Sequence, residues 1–257
     1  MSRALILMYH QVATPGSAQE HRFCTPPGDF VRQMQHLASA FAPVTLDRML
    51  AGLRGEAPLP ERAVHVTFDD GFTGVLEHAA PVLAGLSIPA TLYAVSGRLG
   101  LSNDWMARRG FPERPLMTAA QLRELESAGF VIGSHTHSHA RLTEIGAARV
   151  AQEVGASRRE LEDALGKAVQ HFAYPYGLHD EAVRAAVVEA GYASACSTVS
   201  GFNRRGEDAF RLRRIDVFGT DRLWQFKQKL RFGRNESSRL FALQYYAGRA
   251  AARLRPH

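Results

Sequence analysis

The feature that most constrains the fold is an alternation along the chain between short apolar runs and segments with helical periodicity. The apolar runs are 4–9, 63–68, 90–95, 130–134, 171–174 and 192–196. A continuous apolar run is typical of a strand covered on both faces, as in a parallel sheet. Strands that alternate with helices form parallel βαβ units, and six or seven such units favour a barrel over an open sheet. We therefore predict an α/β fold: a single distorted (β/α) barrel of about seven parallel strands at 1–220, followed by a basic amphipathic helical tail at 221–257.

Local signals predict where several elements begin and end. Asp29 is a good N-cap residue for an amphipathic helix, and Thr118 with Gln121 forms a capping-box pattern for another. The segment 96–117 is a long loop rich in Gly, Arg and Pro, and loops of this length usually serve function. The last strand is expected at 210–217.

Charge and cysteine content restrict the class of protein. The net charge is +6, but residues 222–257 contain nine basic residues and one acid, so the rest of the chain carries about −2. Cys24 and Cys196 are too few for a disulfide framework, and we interpret both as buried thiols. The apolar run at 4–8 is shorter than the core of a signal peptide, and no segment has the roughly 20 apolar residues of a membrane span. We therefore expect a cytoplasmic protein.

Three groups of polar or turn-forming residues directly follow predicted strands. They are Thr67-Phe68-Asp69-Asp70-Gly71, His135-Thr136-His137-Ser138-His139 and Tyr174-Pro175-Tyr176-Gly177. The carboxyl ends of barrel strands are where active sites lie, although Asp-Asp-Gly alone is usually a turn. His135 and His139 are four residues apart and can converge on one ion with a carboxylate. Two histidines and one carboxylate leave coordination positions open, which is typical of a catalytic metal site.

In this combination and order, the motifs resemble those of the polysaccharide deacetylases, the NodB-homology domains of carbohydrate esterase family four, over roughly residues 1–217. The resemblance implies that Asp70, His135 and His139 bind a divalent metal and that Asp69 is the general base. We expect Zn²⁺ first, with Co²⁺, Ni²⁺ or Fe²⁺ as alternatives. A metal of this kind can lower the pKa of a bound water from about 16 to about 7, which explains the need for such ligands in a hydrolase.

The resemblance also assigns the turn after the strand at 171–174. Tyr176 matches the family tyrosine whose backbone N–H helps to hold the oxyanion, and Pro175 and Gly177 shape the turn. His137 would be a bystander. We count Pro175 and Tyr176 as substrate-binding residues together with Trp105, whose ring could stack on a sugar face; an ordinary loop anchor is the alternative for Trp105.

The chain departs from the family pattern in two places. No Leu-x-His motif follows Gly177 to supply the general acid, but the first strand ends in Tyr9-His10, which resembles the PgaB/IcaB-like subgroup with a circularly permuted barrel. His10 would then be the acid, with a structural capping histidine as the alternative. The arginine that usually precedes Pro-Tyr-Gly and orients the base is also missing. One arginine of the last strand could replace it, although solvated surface side chains are the favoured interpretation of Arg211, Arg213 and Arg214.

The predicted function is a metal-dependent hydrolase that removes N-acetyl groups from a polysaccharide or lipid-linked glycan and releases acetate. The alternatives are a deformylase or O-deacetylase that acts on a glycan precursor, and a non-catalytic sugar-binding protein. The basic tail is compatible with a nucleic-acid-binding protein, but no nucleic-acid-binding motif accompanies it, and we expect no nucleic-acid partner. Its mixture of basic and apolar residues at 222–257 instead suits peripheral contact with an anionic membrane at the cytoplasmic face. A helix that closes the end of the barrel with a solvated basic face is the alternative.

Overall fold

The computed structural model describes residues 3–238, except for the side chains of residues 108 and 109. The strands of the main sheet are β1 (Arg3–Tyr9), β4 (Ala42–Pro43), β5 (Ala63–Phe68), β6 (Ala90–Ala94), β7 (Phe130–Ser134), β8 (His171–Ala173), β9 (Ser194–Cys196), β10 (Asn203–Arg204) and β11 (Ile215–Asp216). Two short strands, β2 (Gln11–Val12) and β3 (Cys24–Thr25), pair separately. The helices are α1 (Pro27–Ala40), α2 (Leu46–Arg54), α3 (Ala80–Gly85), α4 (Ala119–Ser127), α5 (Ala147–Leu165), α6 (Glu181–Glu189) and α7 (Leu223–Phe232).

The main sheet curls into a barrel whose principal strands are parallel. Their order is β11-β1-β5-β6-β7-β8-β9, and among the strands described in this sheet only the short β10 is antiparallel to its neighbour. The segment 212–217 connects the two ends of this order: Ser197 N–H donates to the carbonyl oxygen of Leu212, and Val217 N–H donates to that of Met8. The prediction of a barrel of about seven parallel strands is confirmed. That the strand order is circularly permuted stays a prediction.

The core fills both the barrel and the space beneath the helices. Apolar residues of β1, β5 and β6 alternate between two buried clusters, because successive side chains of a strand point to opposite faces. His65 is buried among them; its Nδ1 contacts the carbonyl oxygen of Val44 at 2.8 Å and its Nε2 contacts the hydroxyl of Thr91 at 2.9 Å. Burial lowers the pKa of His65 to about 4, so the ring is neutral at pH 7. Cys24 and Cys196 are buried free thiols, as predicted.

Most predicted element ends are confirmed, and two are wrong. Thr118 and Gln121 form the capping box of α4. Asp29, however, lies in the first turn of α1 and is not its N-cap, because Pro27 needs no partner for a backbone N–H and so starts the helix earlier. The predicted last strand at 210–217 is reduced to β11, although Leu212 also forms a bridge with Cys196.

The tail packs against the barrel through α7. Phe226, Lys229 and Leu230 are buried, and Lys229 Nζ contacts the carboxylate of Asp221 at 2.5 Å and the carbonyl oxygen of Asp216 at 2.8 Å. The apolar face of α7 is therefore part of the core, as the barrel-closing interpretation predicts. The apolar residues at 240–246 lie outside the described residues. No helix within 3–238 has the length and apolar character needed to cross a bilayer.

Candidate active site

The two adjacent aspartates leave the end of β5 in different directions. Asp69 stays in the sheet, where its N–H donates to the carbonyl oxygen of Tyr9 at 2.9 Å. Asp70 takes a left-handed conformation, with φ of 75°, and Gly71 follows with φ of 95°. This turn separates the two carboxylates, so each faces a different set of partners.

The histidine loop after β7 brings His135 and His139 to the same place. His135 Nδ1 donates to the carbonyl oxygen of Ala173 at 2.7 Å, and His139 Nδ1 contacts the hydroxyl of Tyr176 at 3.2 Å. Both rings thereby direct Nε2 towards Asp70. A hydrogen bond at the other ring nitrogen is how metal-binding histidines are usually oriented.

The three predicted metal ligands converge. Asp70 Oδ1 lies 3.2 Å from His139 Nε2 and 3.6 Å from His135 Nε2, and ligand atoms of all three residues lie within 4.8 Å of one another. A tetrahedral metal with bonds of about 2.0–2.1 Å separates neighbouring ligand atoms by about 3.3 Å. Within the described part of the chain, nothing donates a hydrogen bond to the buried Oδ1. The donor set therefore fits a divalent cation.

The protonation states also suit metal binding. Burial lowers the pKa of His135 to about 4, so this ring is neutral at pH 7. Burial would raise the pKa of Asp70, but the close contact of its carboxylate with His139 and the other neighbouring histidines hold that pKa well below its usual range. Neutral imidazole and ionised carboxylate are the forms that bind metals.

Asp69 faces Arg214 instead. The guanidinium donates from Nη1 to Asp69 Oδ1 at 2.6 Å and from Nη2 to Oδ2 at 2.8 Å, while its Nε donates to the carbonyl oxygen of Ser197 at 2.9 Å. Burial would raise the pKa of Asp69, but the charge of Arg214 outweighs it and lowers the pKa below the ordinary value.

The arginine that orients the base is thus supplied by the end of the barrel. Arg214 is fully buried, so its interpretation as a solvated surface residue is wrong. Arg211 and Arg213 are both about two-fifths exposed, in agreement with that interpretation. Because 212–217 pairs with both β9 and β1, its alternate side chains point into the barrel, and Arg214 is one of them.

One cavity of about 300 Å³ opens beside these groups. Its lining includes six site residues predicted from the sequence: His10, Asp69, Asp70, Trp105, His139 and Tyr176. His10 comes from the end of β1 and packs edge-on against Phe23, with ring centroids 5.4 Å apart. Pro175 is buried in the turn below Tyr176 and is not among the lining residues.

Trp105 has a role that the sequence did not predict. Its ring stacks on the ring of His139, with centroids 4.6 Å apart and an angle of 15° between the planes. It therefore covers a predicted metal ligand and also forms part of the cavity wall. The loop anchor is its neighbour Asn103, whose Oδ1 accepts a hydrogen bond from the N–H of Arg114 at 2.6 Å.

Sequence reasoning missed Asp216. This residue ends β11, lines the cavity, and has a pKa that burial raises. Among the described residues, no group donates a hydrogen bond to its Oδ1. The signal that could have found it is an acid at the carboxyl end of the predicted last strand, the position at which barrel enzymes carry functional groups.

Together, a parallel barrel, a two-histidine and one-carboxylate set at its carboxyl end and a separately held aspartate define the class of metal-dependent hydrolases. The family model described as polysaccharide deacetylase matches residues 56–195, more than half of the chain. The chain belongs to the polysaccharide deacetylase family, and the prediction of a carbohydrate deacetylase is confirmed.

Individual relatives agree. The poly-β-1,6-N-acetyl-D-glucosamine N-deacetylase of Staphylococcus aureus (strain N315) is 24% identical over 208 residues, which are 73% of this chain and 69% of that protein. The structure of IcaB from Ammonifex degensii superimposes with a TM-score of 0.78 at 25% identity, over 91% of this chain and 97% of IcaB. BC0361, a polysaccharide deacetylase from Bacillus cereus, gives a TM-score of 0.75 at 24% identity, over 89% and 69% of the two chains. The predicted likeness to the IcaB-like subgroup is confirmed.

Proposed function

We propose that this protein hydrolyses the N-acetyl group of an N-acetylated sugar and releases acetate. The observation that carries the proposal is the separation of two adjacent aspartates: Asp70 faces two histidine nitrogens, whereas Asp69 faces a buried arginine. One carboxylate is thereby suited to bind a cation and the other to accept a proton. The family and the N-deacetylase relative in S. aureus support the same reaction.

Asp70, His135 and His139 would hold the cation, with Zn²⁺ as the first choice because it accepts two histidines and a carboxylate. When bound, the cation supplies Lewis-acid activation of water and of the acyl oxygen. Co²⁺, Ni²⁺ and Fe²⁺ share this preference for nitrogen and oxygen ligands.

Asp69 accepts the proton of the attacking water in this proposal. Arg214 keeps the carboxylate of Asp69 ionised before the reaction and binds both of its oxygens, so the side chain of Asp69 is held in one rotamer, which faces the cavity. The two-point contact has the geometry in which arginine binds carboxylates most strongly. It replaces the arginine that the rest of the family places before Pro-Tyr-Gly.

His10 delivers a proton to the leaving amine. His10 and Tyr176 line the same cavity, and so does Asp216, whose pKa burial raises overall even though its interaction with His10 lowers it. Tyr176 adopts a left-handed conformation, with φ of 59°, at the start of the turn. We propose that its N–H helps to hold the acyl oxygen as negative charge develops there, a contribution of about 3–4 kcal/mol per donor in other hydrolases.

The size and lining of the cavity suit one N-acetylated sugar unit. A volume of about 300 Å³ lies at the small end of the range for ligand pockets. Phe23, Phe111 and Trp105 add apolar walls against which a sugar face can pack. We therefore propose that one N-acetylhexosamine unit of a glycan enters the site, while the neighbouring units stay outside the cavity.

The test is acetate release by the zinc-loaded protein from a panel of N-acetylated and O-acetylated glycans, with lipid-linked sugars included. Asp69→Asn is the matched control, since it should retain zinc and lose hydrolysis. Release from N-acetylated substrates by the wild type alone supports the proposal. Release only from O-acetylated substrates, release of formate from formamido sugars, or equal activity of Asp69→Asn would contradict it.

We further propose that the protein is cytoplasmic and contacts an anionic membrane peripherally through 222–257. Arg3, Arg62, Lys227 and Arg231 line one groove, so α7 extends a basic surface at the start of β1 and β5. Basic residues near an anionic leaflet contribute on the order of 1 kcal/mol each. Lys229 is buried and adds nothing to this surface.

This groove and the cavity lie at opposite ends of the barrel. Arg3 begins β1 and His10 follows it, so the length of a seven-residue strand, about 20 Å, separates the two ends. Membrane contact at the groove would therefore direct the cavity away from the lipid. This orientation favours a polymer that extends from the membrane over a sugar held at the headgroups.

Sedimentation with anionic and with neutral vesicles tests the membrane contact, with the full chain and a version ending at Ser238. Binding of the full chain to anionic vesicles at low salt, lost on truncation, supports a role for the tail. If the double variant Lys227→Glu/Arg231→Glu also loses binding to anionic vesicles, the groove is part of the surface that contacts the membrane. If the full chain does not bind, or if neither the truncation nor Lys227→Glu/Arg231→Glu reduces binding, the proposal is wrong.

A further inference from the structure

The histidine loop is held in an unfavourable backbone conformation. Thr136 and His139 have φ of 68° and 61°, and neither is glycine. Left-handed conformations of ordinary residues persist only where the surroundings impose them. The contacts that hold this loop therefore decide where His139 lies.

One side of the loop is held by the turn after β6. Ser96 N–H donates to the carbonyl oxygen of Thr136 at 3.2 Å, and Gly97 N–H donates to that of His137 at 2.9 Å. These hydrogen bonds fix the first half of the loop. They do not reach Ser138, the residue directly before His139.

The other side is held by Glu153 of α5. Its carboxylate accepts the N–H of Ser138 at 2.8 Å and the hydroxyl of Ser138 at 2.7 Å, and its carbonyl oxygen accepts the N–H of His137 at 3.2 Å. Glu153 is only 1% exposed, and the half-exposed Arg149 donates to its Oε1 at 3.0 Å, the same oxygen that accepts the hydroxyl of Ser138. A buried carboxylate thus binds the backbone of the loop one residue before a predicted metal ligand.

The chemistry of this contact is unusual for a helix-to-loop anchor. A glutamate is rarely buried, because removing its charge from water is costly unless the charge is paired. Here two of its hydrogen bonds go to one loop residue, Ser138. The buried carboxylate of Glu153 therefore holds the loop in position, and Arg149 supplies the compensating charge.

We propose that Glu153 is a positioning residue for the metal site: it fixes Ser138 and thereby holds His139 Nε2 at its short distance from Asp70. This inference rests on the proposed function only in taking Asp70, His135 and His139 as metal ligands. Groups that orient the ligands of a metal typically affect its affinity by 10- to 100-fold. We expect Glu153→Ala to weaken zinc binding by that factor.

Two control variants distinguish an effect on the position of the histidine loop from an effect on the stability of the fold. Arg149→Ala removes the charged partner of Glu153 and leaves both contacts with Ser138 in place. Leu161→Val reduces a fully buried side chain two turns further along α5, without touching the loop. If Glu153 acts through the loop, both variants should bind zinc within threefold of the wild type.

The experiment is a zinc titration of the metal-free protein against a chromophoric chelator, for the wild type and each variant, with folding checked by circular dichroism. The d–d absorption of the cobalt-loaded proteins gives a second readout, which reports the ligand geometry. We expect the absorption to change in Glu153→Ala and to stay unchanged in Leu161→Val.

Glu153→Gln keeps the measurement decisive if Glu153→Ala does not fold. Its amide oxygen can still accept the N–H of Ser138, but its NH₂ group cannot accept the hydrogen bonds that the Ser138 hydroxyl and Arg149 donate to the carboxylate, so we expect at least a threefold loss of zinc affinity. Affinity unchanged in Glu153→Gln and Glu153→Ala, or lowered equally in Leu161→Val, would overturn the inference. A wild type that binds no zinc would instead overturn the proposed function, and the inference with it.

Discussion

The ion pair between Arg214 and Asp69 makes a quantitative prediction about stability. Arg214→Met replaces the guanidinium by an apolar chain of similar length and leaves Asp69 buried without its partner. Two charge-assisted hydrogen bonds to Asp69 are lost, at roughly 1.5–3 kcal/mol each. This range agrees with the roughly 3–5 kcal/mol that removal of one partner from a buried pair usually costs. We expect the free energy of unfolding to fall by about 3–5 kcal/mol.

The double variant provides the sharper test. In Arg214→Met/Asp69→Asn neither buried group carries a charge, so the penalty for an unpaired ion disappears. We expect the double variant to be more stable than Arg214→Met by at least about 2 kcal/mol, even though it contains one more substitution. A salt bridge on the surface would give a coupling below about 1 kcal/mol.

Urea unfolding of the metal-free proteins, in the presence of a chelator, measures these values without a contribution from metal binding. The four proteins of the double-mutant cycle are compared at pH 7. Additive effects, to within about 0.5 kcal/mol, would show that the two residues do not interact. That result would refute the assignment of Arg214 as the partner of the base.

Three further predictions concern single sites. Asp70→Ala, His135→Ala and His139→Ala should each lose the roughly one equivalent of divalent metal that the wild type retains, as measured by elemental analysis; retention by all three would contradict the ligand assignment. His10→Ala should lower kcat by about 10²–10⁴-fold while metal content is unchanged, and activity within threefold of the wild type would exclude His10 as the acid. The third prediction is a pH dependence. The pKa of His65 is lowered to about 4 in the folded state, so its neutral form stabilises the fold above pH 6.5 and this stability is lost as the pH falls towards 4. Between pH 7 and pH 5, the free energy of unfolding of the wild type, measured with urea, should fall by about 2 kcal/mol more than that of His65→Gln. Equal losses in the two proteins would contradict the lowered pKa of His65.

The sequence by itself determined most of the main strands and the residues that we propose as metal ligands. Six strands of the main sheet, β1 and β5 to β9, coincide with the apolar runs of the sequence. A pattern of this kind has few alternatives once helices separate the runs. Asp70, His135 and His139 could be predicted because each lies directly after such a strand, where the backbone leaves the sheet. The parallel arrangement then brings the ends of neighbouring strands together, as it does here.

Only the tertiary structure decided which residues complete the site. Arg214 lies outside the segment that matches the family model, and it meets Asp69 only because 212–217 pairs with both β1 and β9. Nothing local distinguishes Arg214 from Arg213, since side chains alternate in direction along an extended segment and the closure of the barrel selects the buried set. The same holds for Trp105 on His139 and for Glu153 beneath Ser138. These contacts join residues from separate elements, so their chemistry depends on long-range packing that no short pattern in the chain encodes.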